Sequence, residues 1–249
     1  MGALDDRVVI VTGGGQGIGR AYCVGFAREG ASVVVADIGD TSAVEAELAT
    51  LGAPALGVHV DVSDAASTEA MARAVAERFG KIDVLVNNAG FFKKATVGHF
   101  TEISVEEWDL AFAVNVRGAW LCTKAVYPYM RSQEYGKIIN ISSSTAWKGV
   151  PGFLHYVSTK AAIAGFTRSL AREAGTDGIR VNTLVPDIIP DDEIAARHPA
   201  ADQLAISQRC LQRTQVPEDM VGAAVFLASA GSDFVTGQSV HVNGGVYFV

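Results

Sequence analysis

Residues 8–19 read Val-Val-Ile-Val-Thr-Gly-Gly-Gly-Gln-Gly-Ile-Gly, and no other stretch limits the fold of this chain so strongly. Four β-branched residues, Val8 to Val11, enter the run, as suits a strand covered on both faces. A helical pattern from Ile18 to Glu29 leaves it. Gly13, Gly17 and Gly19 permit a tight turn, close packing of helix on strand, and approach of a pyrophosphate to backbone N–H groups at a helix start. The spacing is Gly-x-x-x-Gly-x-Gly rather than Gly-x-Gly-x-x-Gly. Taken alone, the turn also admits the reading of a plain strand-to-helix connection.

Short apolar runs alternate with longer helical patterns along the rest of the chain. The runs Val8–Val11, Ser32–Ala36, Ala55–Val60, Val84–Asn87, Lys137–Ser142, Arg180–Val185 and Ser239–Val242 read as strands. Ile18–Glu29, Ser42–Leu51, Ala65–Phe79, Val105–Arg131, His155–Ala174 and Pro217–Leu227 read as helices, and Gly30, Gly52, Gly80 and Gly136 stand where helices should stop. This order predicts an α/β, doubly wound fold: about seven parallel strands, helices on both faces, right-handed crossovers. Ligands in such sheets bind at the carboxyl ends of the strands. At 249 residues the chain suits one large core. The stretch 188–216 breaks the pattern: it is polar, holds Pro190 and Pro199, and is expected to be a lid over the site.

Charge and cysteine usage exclude other classes. A net charge of -7 argues against nucleic acid or an anionic membrane as the main partner. No apolar run reaches the length of a membrane span and no charged-then-apolar leader opens the sequence, so a cytoplasmic protein is expected. Cys23, Cys122 and Cys210 are odd in number and far apart, and read as small buried apolar residues rather than disulfide or metal ligands. No metal is expected.

A second motif lies in the latter half. Tyr156 and Lys160 are four apart, on one face of a helix, and Ser143 precedes Tyr156 by thirteen residues. A fixed ammonium beside a phenol favours the phenolate, so the Tyr156 pKa should fall and the pair should work as an acid/base near neutral pH. Tyr-x-x-x-Lys pairs also occur by chance on helix surfaces, and Ser142 and Ser144 flank Ser143 in what is otherwise an ordinary loop.

Thr12-Gly13-x-x-x-Gly17-x-Gly19, Asn87-Asn88-Ala89-Gly90, Asn115, Ser143 and Tyr156-x-x-x-Lys160 stand in the order of the short-chain dehydrogenase/reductase family, which the chain resembles from Leu4 to Gly245. The resemblance implies a single Rossmann-type dinucleotide-binding and catalytic domain. It implies Tyr156 as general base or acid, Ser143 as donor to the substrate oxygen, Lys160 as partner of Tyr156 and of the cofactor ribose, and Asn115 as holder of a relay water. It assigns Gly13, Gln16, Gly17, Ile18, Gly19, Asp61, Val62, Asn88, Ala89, Gly90, Pro186 and Ile189 to the cofactor site, alongside Tyr156 and Lys160. Asp37 ends the second strand, where a carboxylate accepts both adenosine ribose hydroxyls and repels a 2′-phosphate. Its neighbours Gln16, Ile38 and Gly39 offer no cation, so the expected cofactor is NAD. Asn88-Ala89-Gly90 reads equally as a structural turn.

The chain departs from the family pattern after the sixth strand. Where the family has Pro-Gly-x-x-x-Thr, this sequence has Pro186-Asp187-Ile188-Ile189-Pro190-Asp191. Asp187 reads as a charge beside the oxidised nicotinamide, as an acceptor for a substrate hydroxyl, or as a solvated loop acid. The loops expected to face the nicotinamide contribute Phe91, Phe92, Thr145, Trp147 and Phe153. With Ser143, Tyr156 and Asp187 they would form a largely aromatic substrate pocket, suited to an apolar or aromatic secondary alcohol or ketone. The stretch 143–168 resembles NAD-dependent 1-arylethanol dehydrogenases of the same family. The rivals are a 3-oxoacyl-thioester reductase and a nucleotide-binding protein without chemistry. The resemblance further implies a homotetramer, and the apolar tail Val246-Tyr247-Phe248-Val249 fits an interface.

Overall fold

A computed structural model describes residues 2–92, 95–191 and 200–249. Seven strands form one parallel sheet in the order β3-β2-β1-β4-β5-β6-β7. They are β1 (Val8–Thr12), β2 (Ser32–Asp37), β3 (Ala55–His59), β4 (Val84–Asn87), β5 (Gly136–Ile141), β6 (Ile179–Pro186) and β7 (Ser239–Val242). The helices are α1 (Gly17–Arg28), α2 (Ser42–Thr50), α3 (Ala65–Phe79), α4 (Val105–Phe112), α5 (Gly118–Ser132), α6 (Thr145–Lys148), α7 (Leu154–Ala174), α8 (Ala201–Gln208) and α9 (Val221–Ala228).

The central strands β1, β2, β4, β5 and β6 are almost entirely buried because both faces of the sheet are covered there, whereas the edge strands β3 and β7 are only partly buried. Successive side chains point to opposite faces, and the core divides accordingly. Val9, Val11, Val33, Val35, Val84 and Val86 pack under α1 and α9, against Tyr22, Phe26 and Leu227. Val8, Ile10, Val34, Leu85 and Ile138 pack under α3, α5 and α7, against Met71, Val75, Val126 and Ala171. The chain runs from β1 to β2 on one side and returns to β4 on the other, so a crevice opens between their carboxyl ends.

Three readings of the sequence need correction. The single helix over Val105–Arg131 is two helices joined by a π-turn, Ala113–Arg117, around the buried Asn115. That side chain bonds backbone and side chains outside its own helix, which favours the extra residue per turn. The helix over Pro217–Leu227 starts as a 3-10 turn, Pro217–Met220, and becomes α-helical only at Val221. Cys210 is exposed, unlike the buried Cys23 and Cys122. The stretch 188–216 also contains α8, which the sequence did not announce; its residues 192–199 lie outside the described residues. Among the described residues no helix is long and apolar enough to cross a membrane.

Candidate active site

A crevice of about 540 Å³ lies across the carboxyl ends of the strands. Its floor is the turn after β1. Gly13 has φ +64°, and a Cβ on Gly19 would lie 2.0 Å from the Gly13 carbonyl oxygen, so helix and turn touch at a distance only glycine permits. Gln16, extended and with no side-chain cap, precedes α1 and leaves the first N–H groups of that helix open towards the crevice. Aligned peptide dipoles add partial positive charge there.

The turn is braced from the neighbouring strand. Thr12 Oγ1 accepts from the N–H groups of Asn88 (3.0 Å) and Ala89 (3.1 Å), and Asn88 Nδ2 donates to the carbonyls of Thr12 and Gly13, both at 3.0 Å. Asn88 therefore holds the glycine turn in shape while also lining the crevice. Asp37, at the end of β2, accepts from Gly15 N–H and Gly39 N–H, each at 2.9 Å. Asp61 accepts from Ser63 at its N–H (2.8 Å) and hydroxyl (2.7 Å).

Gly13, Gln16, Gly17, Ile18, Gly19, Asp37, Asp61, Val62, Asn88, Ala89, Gly90, Tyr156, Lys160, Pro186 and Ile189, all singled out in the sequence, line this one crevice. Val60, Val114, Ile141 and Pro217 join them without having been foreseen, and Pro190 and Asp191 come from the stretch read as a lid. Lys160 is the one cation among the described residues that line it.

Tyr156 and Lys160 project from α7. Burial pushes the Tyr156 phenol up to about 12, opposed by a hydrogen bond with Ser143. Burial pulls Lys160 down to about 8. The predicted lowering of the Tyr156 pKa by Lys160 is therefore not what the folded site does. The ammonium lies 5.7 Å from the centre of the Tyr156 ring and donates to the Ile141 carbonyl at 2.9 Å, and loss of water, opposed by the Ser143 hydrogen bond, sets the direction of the shift. Ser143 Oγ accepts from Thr145 Oγ1 at 3.0 Å and Thr145 N–H at 3.2 Å. Asn115 Nδ2 donates to Thr159 Oγ1 at 2.9 Å, one helical position before Lys160.

Phe92 leans on Tyr156 with ring centroids 4.8 Å apart and stacks on Phe153 at 5.9 Å. Contacts among side chains bring Ser143, Thr145, Phe92, Phe153 and Tyr156 together, but of the expected pocket residues only Phe92 and Tyr156 line the crevice; Ser143, Thr145, Trp147, Phe153 and Asp187 do not. The Trp147 ring stands edge-on to His241 at 4.7 Å, and His241 bonds the Tyr247 hydroxyl at 2.8 Å. Asp187 is neither solvated nor free. Its carboxylate takes hydrogen bonds from Ser144, from Lys148 (2.8 Å) and from Arg209 (2.9 and 3.1 Å). Burial pushes this carboxyl up, but the Lys148 and Ser144 hydrogen bonds and the Lys148 charge more than offset it, leaving it below the usual range.

Glu107 was missed. It accepts from the N–H and hydroxyl of Thr96 and pairs with Nε2 of the fully buried His155 at 3.0 Å. It thereby ties the loop after Phe92 to the residue before Tyr156. In the sequence, Ser104-x-x-Glu107 reads only as a helix start.

Residues 13–247 match a family model described as enoyl-(acyl carrier protein) reductase. The chain is 37% identical over 248 residues to the (2S)-[(R)-hydroxy(phenyl)methyl]succinyl-CoA dehydrogenase subunit BbsD of Thauera aromatica, covering 97% of each chain. It is 36% identical over 244 residues to the 3-oxoacyl-[acyl-carrier-protein] reductase FabG of Staphylococcus aureus, covering 97% of this chain and 98% of that protein. Among solved structures, a putative short-chain alcohol dehydrogenase from Sinorhizobium meliloti superposes with TM-score 0.92 at 31% identity, covering 98% of this chain and 97% of that one. Levodione reductase superposes with TM-score 0.91 at 31% identity, covering 97% and 98%.

Proposed function

The chain belongs to the short-chain dehydrogenase/reductase family of nicotinamide-dependent oxidoreductases, and from that footing we propose that it interconverts an aromatic secondary alcohol and its ketone with NAD, a 1-arylethanol/acetophenone type of pair. The observation that carries the substrate class is the pair Phe92 and Phe153 set against the Tyr156 ring, an apolar wall beside the acid/base. The relative named for a hydroxy(phenyl)methyl group, a phenyl-bearing secondary alcohol, supports the same class.

The crevice fits a dinucleotide. A turn whose Gly13, Gly17 and Gly19 line the crevice without side chains, first N–H groups of α1 with no side-chain cap, and a carboxylate at Asp37 suit a pyrophosphate and an adenosine ribose. Gly13 to Gly19 would hold the pyrophosphate, Asp37 the ribose, Asp61 and Val62 the adenine edge, Asn88 to Gly90 the adenosine side, and Lys160, Pro186 and Ile189 the nicotinamide side. The absence of a cation beside Asp37 among the described lining residues favours NAD over NADP. When bound, NAD supplies the hydride acceptor. The chain's own residues then handle the proton and the geometry. Ser143 donates to the substrate oxygen and holds it beside the Tyr156 hydroxyl. In oxidation Tyr156 takes the alcohol proton as the phenolate, and in reduction the phenol gives it back to the ketone oxygen. Lys160 keeps a positive charge near the phenolate that forms. Asn115 fixes Phe91 and Thr159 around the site and supports the relay towards Lys160. The stretch 188–216 is proposed as the lid that excludes water.

A second reading has its own support: FabG of Staphylococcus aureus is a 3-oxoacyl-thioester reductase of equal coverage. The two separate in one assay. NAD⁺ and NADP⁺ reduction is followed with each enantiomer of 1-phenylethanol, and NADH and NADPH oxidation with acetoacetyl-CoA. Turnover of 1-phenylethanol with NAD⁺ is expected. NADPH-dependent reduction of the thioester without alcohol oxidation would replace this proposal with the second reading.

A further inference from the structure

Asp187 follows Pro186, the last residue of β6 and part of the crevice lining, and its carboxylate serves two other stretches of chain. One oxygen receives Ser144 Oγ and, at 2.8 Å, Lys148 Nζ. The other receives Nε and Nη2 of Arg209 at 3.1 and 2.9 Å. Ser144 and Lys148 belong to the loop and short helix that begin at Ser143. Arg209 caps α8 and also donates to the carbonyls of Ile188 and Arg213, both at 2.9 Å. The Asp187 N–H donates to Gln215 Oε1 at 3.1 Å, and Ser144 N–H donates to the Pro186 carbonyl at 2.8 Å.

The Asp187 and Arg209 side chains are 1% and 2% exposed. A pair so far from water holds one arrangement only if its remaining hydrogen-bonding positions are met. Here four donors share the two oxygens, and two of them come from the serine loop. A shift of Arg209 thus disturbs Ser144 and Lys148, and a shift of the serine loop disturbs Arg209.

We propose that Asp187 is a positioning residue whose carboxylate clamps the Ser143 loop to the Arg209 segment, so that the place of the serine hydroxyl and the packing of residues 201–213 are set together. The consequence for turnover rests on the reading of Ser143 as donor to the substrate oxygen; the mechanical coupling does not.

Asp187→Gly would strand a buried guanidinium and destabilise the fold for that reason alone, whatever the clamp does. The informative variants are Ser144→Ala, Lys148→Met and Arg209→Lys, the last keeping the charge but losing the two-pronged contact. Hydrogen exchange is read on the full chain with NAD⁺ present. Ser144→Ala and Lys148→Met should each speed exchange across 201–213, and Arg209→Lys across 143–149, by about tenfold, with α3 unchanged. Acceleration confined to the segment that bears the substitution would overturn the clamp. Turnover gives the second arm, with 1-phenylethanol or acetoacetyl-CoA, whichever the wild type uses. Lys148→Met should lower kcat without moving the NAD⁺ Kd, and Lys148→Arg should recover it. Equal losses in both Lys148 variants, or a change in KM alone, would overturn the positioning role. A wild type that uses neither substrate would defeat the proposed function, and exchange alone would then decide the clamp.

Discussion

The side-chain amide of Asn115 grips the backbone of Phe91 from both sides: Oδ1 accepts the Phe91 N–H at 2.6 Å and Nδ2 donates to the Phe91 carbonyl at 3.2 Å. The π-turn that contains Asn115 thereby holds the loop that brings Phe92 to Tyr156. Asn115→Ala should cost about 1–3 kcal/mol of stability, since a buried amide loses its partners and the Phe91 N–H goes unmet. Urea unfolding measures it; an unchanged midpoint would show that the grip contributes nothing.

Tyr156→Phe keeps the ring against Phe92 and removes the transferable proton. Activity should fall by roughly 10²–10⁴-fold, the usual loss for a general acid/base, while NADH affinity stays the same. Near-normal turnover would remove Tyr156 from the proton transfer.

Asp37→Ala removes the carboxylate that also holds Gly15 and Gly39. NAD⁺ affinity should drop and the preference for NAD⁺ over NADP⁺ should narrow by about tenfold, the worth of one charge-assisted contact. A wild type that already prefers NADP⁺ would show that Asp37 does not select the cofactor.

Burial lowers Lys160 from 10.5 to about 8 in the folded chain. Between those two values the unfolded chain binds more protons than the folded one, so this group makes stability rise with pH from 8 towards 10.5 and penalises folding below that window. Tyr156, raised from 10.0 to about 12, acts oppositely above pH 10, where its contribution is lost as pH rises. The wild type minus Lys160→Met difference in unfolding free energy should therefore climb between pH 8 and pH 10. Parallel curves would mean that Lys160 keeps an ordinary pKa.

Phe248 and Val249 are 82% and 81% exposed, and Phe234, Trp120 and Val105 add further apolar surface on this single chain. Apolar side chains left exposed on one chain are available to be covered where copies of it associate. Light scattering should find a species about four times the 26.1 kDa chain, the homotetramer expected of the family, and a stable monomer would contradict it.

What the sequence by itself determined is the part written in local pattern. Apolar runs, glycine stops and helical periods marked all seven strands and their parallel direction but not the order β3-β2-β1-β4-β5-β6-β7, because burial imposes a residue pattern strand by strand and does not say which strand lies beside which. The glycine turn, Asp37, Asp61 and the Tyr156–Lys160 helix were equally legible, since each lies just after a strand end or on the helix that follows, and the fold sends all of those to one crevice. Only the tertiary structure decided which groups meet across long separations. Asp187 finds Ser144 43 residues back and Arg209 22 residues on, and Glu107 finds His155 48 residues away. It also decided the sign of the Tyr156 shift. A helical spacing of four predicts a neighbouring charge, but how much water the phenol loses depends on what folds over it, and that loss outweighs the Ser143 hydrogen bond that opposes it.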